Sequence, residues 1–211
     1  MGQNVLQTLS EDNGGAIQDP RTRRREVAQD LIAIAYRQGV FVAANGVVSD
    51  YHLDPALFMT KPTLLRRLGS LLAEQIDTDV DRIAGREPGS AALAIATALH
   101  TGLPYVSLRP TSPESSSSTV CGELHANERV ILIEDVLSSG SHALRGARTL
   151  TESNATLVAV LGVIDRGEGA TEALTAAGIT YMPMFAMDEL AKRHAVSRHS
   201  TSLAQGGQRD I

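Results

Sequence analysis

Four almost uninterrupted apolar runs, with helical patterns between them, constrain the fold of this chain more than any other feature. They are Pro104–Leu108, Val130–Glu134, Leu157–Ile164 and Ile179–Phe185. A strand with one solvated face alternates apolar and polar residues. A short run that is apolar throughout must be covered on both faces, and in a parallel sheet helices do this. The intervening segments supply them. Ser90–His100 is Ala-rich and closed by Gly102, Ser141–Thr151 is amphipathic, and Thr171–Ala177 is closed by Gly178. Val80–Ala84 adds a further short strand. The expectation is an α/β fold, a central parallel sheet flanked by helices.

The N-terminal third reads differently. Val27, Leu31, Ile32, Ile34 and Ala35 share one helical face, and Gly39 is expected to stop that helix. Val40–Leu53 follows as short β pieces around Gly46, then Lys61–Ile76 as a helix striped by Leu64, Leu65, Leu68, Leu71 and Leu72. Residues 1–22 and 195–211 are polar and aperiodic and read as a flexible arm and tail. Between them, residues 23–194 form one domain, with residues 23–60 as a small N-terminal hood. Arg109–Leu124 has two prolines and five serines without periodicity, a long loop between core strands of the kind that is often functional.

Composition excludes several classes. A single cysteine, Cys121, allows no intrachain disulfide and gives no sign of an oxidising compartment. The formal net charge of −5 argues against a broad nucleic-acid surface, and the basic run Arg21–Arg25 is read as a helix start or a solvated face. No apolar run reaches the length of a membrane span, so a cytoplasmic protein without nucleic-acid or membrane partners is expected. Of nineteen basic residues only Lys61 and Lys192 are lysines, leaving seventeen arginines.

Val130–Ser141, VILIEDVLSSGS, carries the most chemistry. An apolar strand leads into the paired acids Glu134 and Asp135, then into a Ser- and Gly-rich turn that opens a helix. Such a turn presents backbone N–H groups and hydroxyls, and the helix dipole favours an anion there. Two carboxylates would repel a phosphate. They suit the hydroxyls of a sugar, or a Mg²⁺ that offsets their charge. Phosphate loop plus sugar-binding acids describes a phosphorylated ribose. The bland alternative is a strand–turn–helix with capping serines and solvated acids.

This segment resembles the PRPP-binding signature of type I phosphoribosyltransferases, and the similarity runs from about Val27 to Leu190, nearest to the orotate branch. Phe41–Gly46 with Ser49–Asp54 is similar to that branch's base-site motif, Ala84-Gly85 with Gly89-Ser90 to its pyrophosphate loop, and Val163–Gly169 to its Asp-Arg motif. The resemblance implies that Glu134 and Asp135 hold the ribose hydroxyls and that Ser138, Ser139, Gly140 and Ser141 cradle the 5-phosphate. It implies that Gly85, Arg86 and Gly89 line the pyrophosphate side with Arg109 on the catalytic loop. Arg166 would then face the base, with Tyr51 and His52 near its ring. Mg²⁺ is implied as cofactor, brought by the substrate and touching Asp135. The implied partners are PRPP or a nucleoside monophosphate, a nucleobase, and a second subunit in a homodimer or a hetero-oligomer with a homologue.

The departures fall on one side of the site. Ala44 and Pro88 stand where that branch has lysines, and the loop's basic positions are occupied by Pro110, Pro113, Ser115 and Ser116. No lysine occurs between Lys61 and Lys192. Fixed positive charge around a leaving pyrophosphate is a main source of transition-state stabilisation. Two readings follow: a phosphoribosyltransferase acting on a base other than orotate, and a non-catalytic nucleotide-binding regulatory or partner subunit.

Overall fold

The computed structural model describes residues 19–42, 46, 48–110 and 119–192. The first element, α1 (Pro20–Ala35), starts earlier than the apolar periodicity suggests. Asp19 caps it by accepting from the Thr22 N–H, and Pro20 occupies the first turn, where a missing N–H costs nothing. Three residues assigned to the flexible arm are therefore helical; residues 1–18 of the arm and 193–211, which include the tail, lie outside the described residues. Val27, Ala28, Leu31, Ile32 and Ala35 form the buried face, as the spacing requires. The basic run lies on the first turns: Arg23 pairs with Glu74, and Arg24 donates to the Met184 carbonyl and sits over the Phe185 ring.

Gly39 does not stop this helix. The chain becomes extended at Tyr36, and Gly39 lies inside β1 (Tyr36–Val42), which pairs antiparallel with β2 (Val48–Leu53). Their register slips between Gln38 and Phe41, a bulge at which glycine is easily accommodated. Two helices follow, the short α2 (Pro55–Met59), which the sequence did not signal, and α3 (Pro62–Ala73), whose Leu64, Leu68, Leu71 and Leu72 are buried.

The main sheet has six strands in the order β5-β4-β3-β6-β7-β8. These are β3 (Arg82–Arg86), β4 (Tyr105–Leu108), β5 (Val120–Cys121), β6 (Arg129–Leu137), β7 (Thr156–Asp165) and β8 (Tyr181–Ala186). The connecting helices are α4 (Ala91–Thr101), α5 (Ser141–Glu152) and α6 (Ala170–Ala176), and a last helical segment covers 187–192. All neighbouring strands run parallel except β4 and β5, which are antiparallel. The sheet is thus centrally parallel, as expected, with one antiparallel edge where part of the 109–124 segment folds back as β5. Residues 111–118 of that segment, including Pro113, Ser115 and Ser116, lie outside the described residues, as does Ala44.

Both faces of the sheet are covered. Ile83, Ile131, Ile133, Leu161 and Val163 pack with α1, α3 and α4 side chains in one core; Ala84, Val106, Leu132 and Val160 pack with α5 and α6 side chains in the other. Gly85 is forced by this packing, since a Cβ there would lie 2.5 Å from the Ala94 Cβ and 3.1 Å from the Ser90 carbonyl oxygen. Gly85→Ala is expected to cost about 1–3 kcal/mol by overpacking β3 against α4, read as a lower Tm in thermal denaturation. An unchanged Tm would show that the helix shifts freely.

Candidate phosphoribosyl site

From β3 the chain moves outward to β4, then crosses back to β6 and continues to β7 and β8. The switch point lies between β3 and β6, where ligands enter an open α/β sheet at the carboxyl ends of its strands. β6 is longer than expected, extending past Glu134 to Leu137. It pairs with β3 only as far as Ile133 but with β7 as far as Leu137. Past Ile133, one edge of β6 is therefore free of β3, and the paired acids stand at this opening.

Glu134 is buried, with its side chain 3% exposed. Burial pushes its carboxyl up to about 7; the Arg86 guanidinium opposes this and Asp135 adds to it. Asp135 is half-buried, accepts from the Val136 N–H at 2.7 Å, and has its carboxylate 3.5 Å from where a Cβ on Gly89 would stand. Gly89 thus leaves room beside Asp135. The turn from β3 into α4 is held by Ser90, whose hydroxyl accepts from the Arg86 N–H at 3.0 Å, and the Glu87–Pro88 peptide is cis.

Past the acids, a cavity of about 120 Å³ is lined by Glu134 and residues 136–143. Gly140 turns the chain into α5 with φ +74°, a left-handed conformation that suits glycine, and a Cβ there would press on Ala170 at 3.2 Å. Ser138, Ser139 and Ser141 are exposed, with the Ser139 hydroxyl donating to Ser141 at 3.2 Å. Three serines and the first turn of α5 line this small cavity, an arrangement suited to one phosphate.

The basic residues are placed less uniformly. Arg86 ends β3 with its Nε 3.3 Å from Glu134 Oε1 and its Nη2 2.6 Å from His142 Nδ1. Arg109 is half-exposed, with Nε 3.4 Å from Glu87 Oε2 and Nη2 donating to Cys121 Sγ at 3.2 Å. Glu87 also accepts from the Ser107 hydroxyl at 2.5 Å. Arg166 follows β7, pairs with Glu168 at 2.9 Å and lies 5.1 Å over the Tyr51 ring, while its Nε is buried without a hydrogen-bond partner among the described residues. Tyr51 stacks on Tyr36 at 5.5 Å.

His52 is turned away from the Tyr51–Arg166 pair. Consecutive strand residues point to opposite faces, and His52 packs on Phe41 at 5.4 Å while Tyr51 meets Arg166. His142, Glu87 and Glu168 join the site without having been singled out in the sequence. Only the position of His142, directly after the serine loop, could have drawn attention to it.

No protein-family model matches the chain. Individual relatives do. An orotate phosphoribosyltransferase of Thermococcus gammatolerans is 34% identical over 160 residues, covering 74% of this chain and 84% of the relative. The chain belongs to the orotate phosphoribosyltransferase family. The fold agrees. A crystal structure of orotate phosphoribosyltransferase from Aeropyrum pernix matches with a TM-score of 0.73 at 23% identity, over 80% of this chain and 98% of that one. That of the Mycobacterium tuberculosis enzyme in complex with PRPP matches at 0.65 and 22%, over 80% and 92%. The sheet and its flanking helices are thus the type I phosphoribosyltransferase fold, and the protein is a phosphoribosyltransferase of this family.

Proposed function

We propose that this protein binds PRPP or a nucleoside monophosphate and transfers the phosphoribosyl group to or from a nucleobase other than orotate. The observation that carries the reading is the junction at the carboxyl edge: buried Glu134 and half-buried Asp135 stand beside a serine-lined cavity sized for one phosphate. In this reading the 5-phosphate accepts from the N–H groups and hydroxyls of 138–141, and the ribose hydroxyls donate to the two carboxylates. The diphosphate lies along 85–89, toward Arg86 and Arg109. The base rests by Tyr51, under the Arg166 guanidinium that lies 5.1 Å over its ring. The bond between the anomeric carbon and the departing oxygen breaks while that carbon gains cationic character, and the base nitrogen attacks it from the opposite face.

Mg²⁺ fits as a partner of the substrate. No group of three or more His, Cys, Asp or Glu converges on a metal position among the described residues, whereas Asp135 offers one carboxylate beside Gly89. The ion would supply charge neutralisation to the diphosphate.

The names of the relatives make orotate the first base to test. The chain's own residues support a different one. It has no lysine between Lys61 and Lys192, and Arg109 and Arg166 are each already paired with a carboxylate. A site so neutralised suits an uncharged base better than an acidic one. The test is pyrophosphate release from PRPP with Mg²⁺ and a panel of bases that includes orotate and uracil. Turnover with a neutral base and not with orotate is expected. Efficient orotate turnover would reject the choice of base. Tight binding of PRPP or nucleoside monophosphates with no turnover of any base, also after adding a catalytic homologue, would favour the regulatory-subunit reading.

A further inference from the structure

His142 sits where neither the serine cradle nor the acid pair needs it, yet its ring makes a close polar contact at the site. Nδ1 lies 2.6 Å from Arg86 Nη2. A guanidinium has donors only, so Nδ1 must be the acceptor and the ring proton must sit on Nε2. The same guanidinium is held by Glu134 through Nε at 3.3 Å. Without His142 this long side chain would keep one extended contact at its charged head. With it, the guanidinium is fixed at two points between the ribose acids of β6 and the first turn of α5. We infer that His142 is a positioning residue: as a neutral ring it holds Arg86 as the fixed cation of the pyrophosphate side, where the family pattern of lysines is missing. The inference rests on the phosphoribosyl reading of the site.

The surroundings keep His142 in the form this requires. The groups that face it are Arg86 from the end of β3, Asp135 from β6, and Arg145 one turn further along α5. Partial burial and then the two arginines lower its proton affinity, and Asp135 opposes them. A neutral ring accepts from Arg86; a protonated one has no lone pair to offer and repels it. Preorganised charge is more effective than charge that must be oriented as the leaving group departs. Arginine's planar fork, pinned at two of its nitrogens, meets that condition in a way a free lysine does not.

Two measurements test this. The first is an NMR titration of the His142 ring in the intact protein and in Arg86→Met, with the signal assigned by loss in His142→Asn. We expect the Nε2–H tautomer and a pKa below the ordinary histidine value, rising in Arg86→Met; identical titration in both would overturn the pairing. The second compares affinities for PRPP with Mg²⁺ and for ribose 5-phosphate, which lacks the diphosphate. His142→Ala should weaken PRPP about tenfold, the loss of one charge-assisted hydrogen bond, and ribose 5-phosphate much less. His142→Asn, whose Oδ1 accepts in place of Nδ1, should recover most of the loss, and Arg86→Met should abolish any further effect of His142→Ala. A parallel fall for both ligands, or no rescue by Asn, would mean a merely structural residue and overturn the inference. If the unmodified protein binds neither ligand, the phosphoribosyl reading fails and His142 has no leaving group to serve. An intact Arg86–His142 pair would then be a structural contact only.

Discussion

Replacing Glu134 by Gln together with Asp135 by Asn is expected to lower the affinity for ribose 5-phosphate by more than about a hundredfold, the loss of charge-assisted hydrogen bonds to two sugar hydroxyls. Calorimetry measures it, with inorganic phosphate as the control. Phosphate affinity should not fall, because residues 138–141 are untouched and the neighbouring negative charge is removed. Equal affinity for ribose 5-phosphate in the double variant would remove the acid pair from the site. The buried position of Glu134 gives the prediction a pH signature. Its carboxyl, pushed up to about 7 by burial, is largely protonated in mildly acidic solution. A protonated carboxyl is a weaker acceptor for the ribose hydroxyls, so affinity should rise as pH passes upward through about 7, and Glu134→Gln should flatten that rise.

The same group links pH to stability with a definite sign. In the folded chain the Glu134 carboxyl holds its proton more tightly than in the unfolded chain, where it titrates near 4.5. Its contribution to stability is therefore fully present below about pH 4.5 and is lost as pH rises through about 7. The span corresponds to at most about 3 kcal/mol, reduced by whatever relaxation the site allows. Chemical denaturation across this window should show the decline in the unmodified protein and a flatter profile in Glu134→Gln. The site thus carries an acid that is only partly ionised at neutral pH, and its ionisation comes at the expense of stability.

The second large effect lies at the opposite end of the sheet. Arg82→Met is expected to destabilise the fold by about 3 kcal/mol, because it leaves a carboxylate partly buried without its cation. Arg82 opens β3 and is 6% exposed, and its Nε and Nη2 each donate to a different oxygen of Glu128 at 2.7 Å. Glu128 also accepts from the His125 N–H at 2.9 Å. These contacts, with the Arg82 hydrogen bond first, hold the Glu128 carboxyl down at about 2. A depressed acid contributes stability above its unfolded value near 4.5, and that contribution is lost as pH falls toward 2. The gap between Arg82→Met and the unmodified protein should therefore be full at pH 7 and shrink in acid. Combining Arg82→Met with Glu128→Leu should recover much of the loss, since an apolar pair of similar volume replaces an ion pair at little net cost. Ligand affinity should be unchanged in the folded variant, because this pair sits at the amino end of β3 and the site at its carboxyl end. Thermal denaturation with and without ribose 5-phosphate separates the two effects, and an Arg82→Met protein as stable as the parent would refute the account.

The sheet was legible because its signal is local and redundant. Ile131, Leu132 and Ile133, or Ala159, Val160 and Leu161, are apolar at consecutive positions, which a strand covered on both faces explains. The Ser138–Ser141 turn was legible for a related reason: a glycine and three hydroxyl residues between a strand and a helix determine the local backbone almost alone. Element ends were less so. Pro20 and Asp19 start α1 through capping chemistry that apolar spacing does not register, and Gly39 marks a bulge in β1 where a helix stop was expected.

By itself, then, the sequence determined the α/β architecture, the strand–acid–serine loop and the absence of lysine around it, since each depends on residues adjacent in the chain. Only the tertiary structure decided which charges meet. Arg86, Glu134 and His142 come from β3, β6 and α5 and are brought together by the switch point of the sheet. Arg166 finds Tyr51 across more than a hundred residues, and His52, next to Tyr51 in sequence, is turned to Phe41 by the pleat of its strand. Such pairings depend on sheet order, register and side-chain direction, which no local pattern encodes.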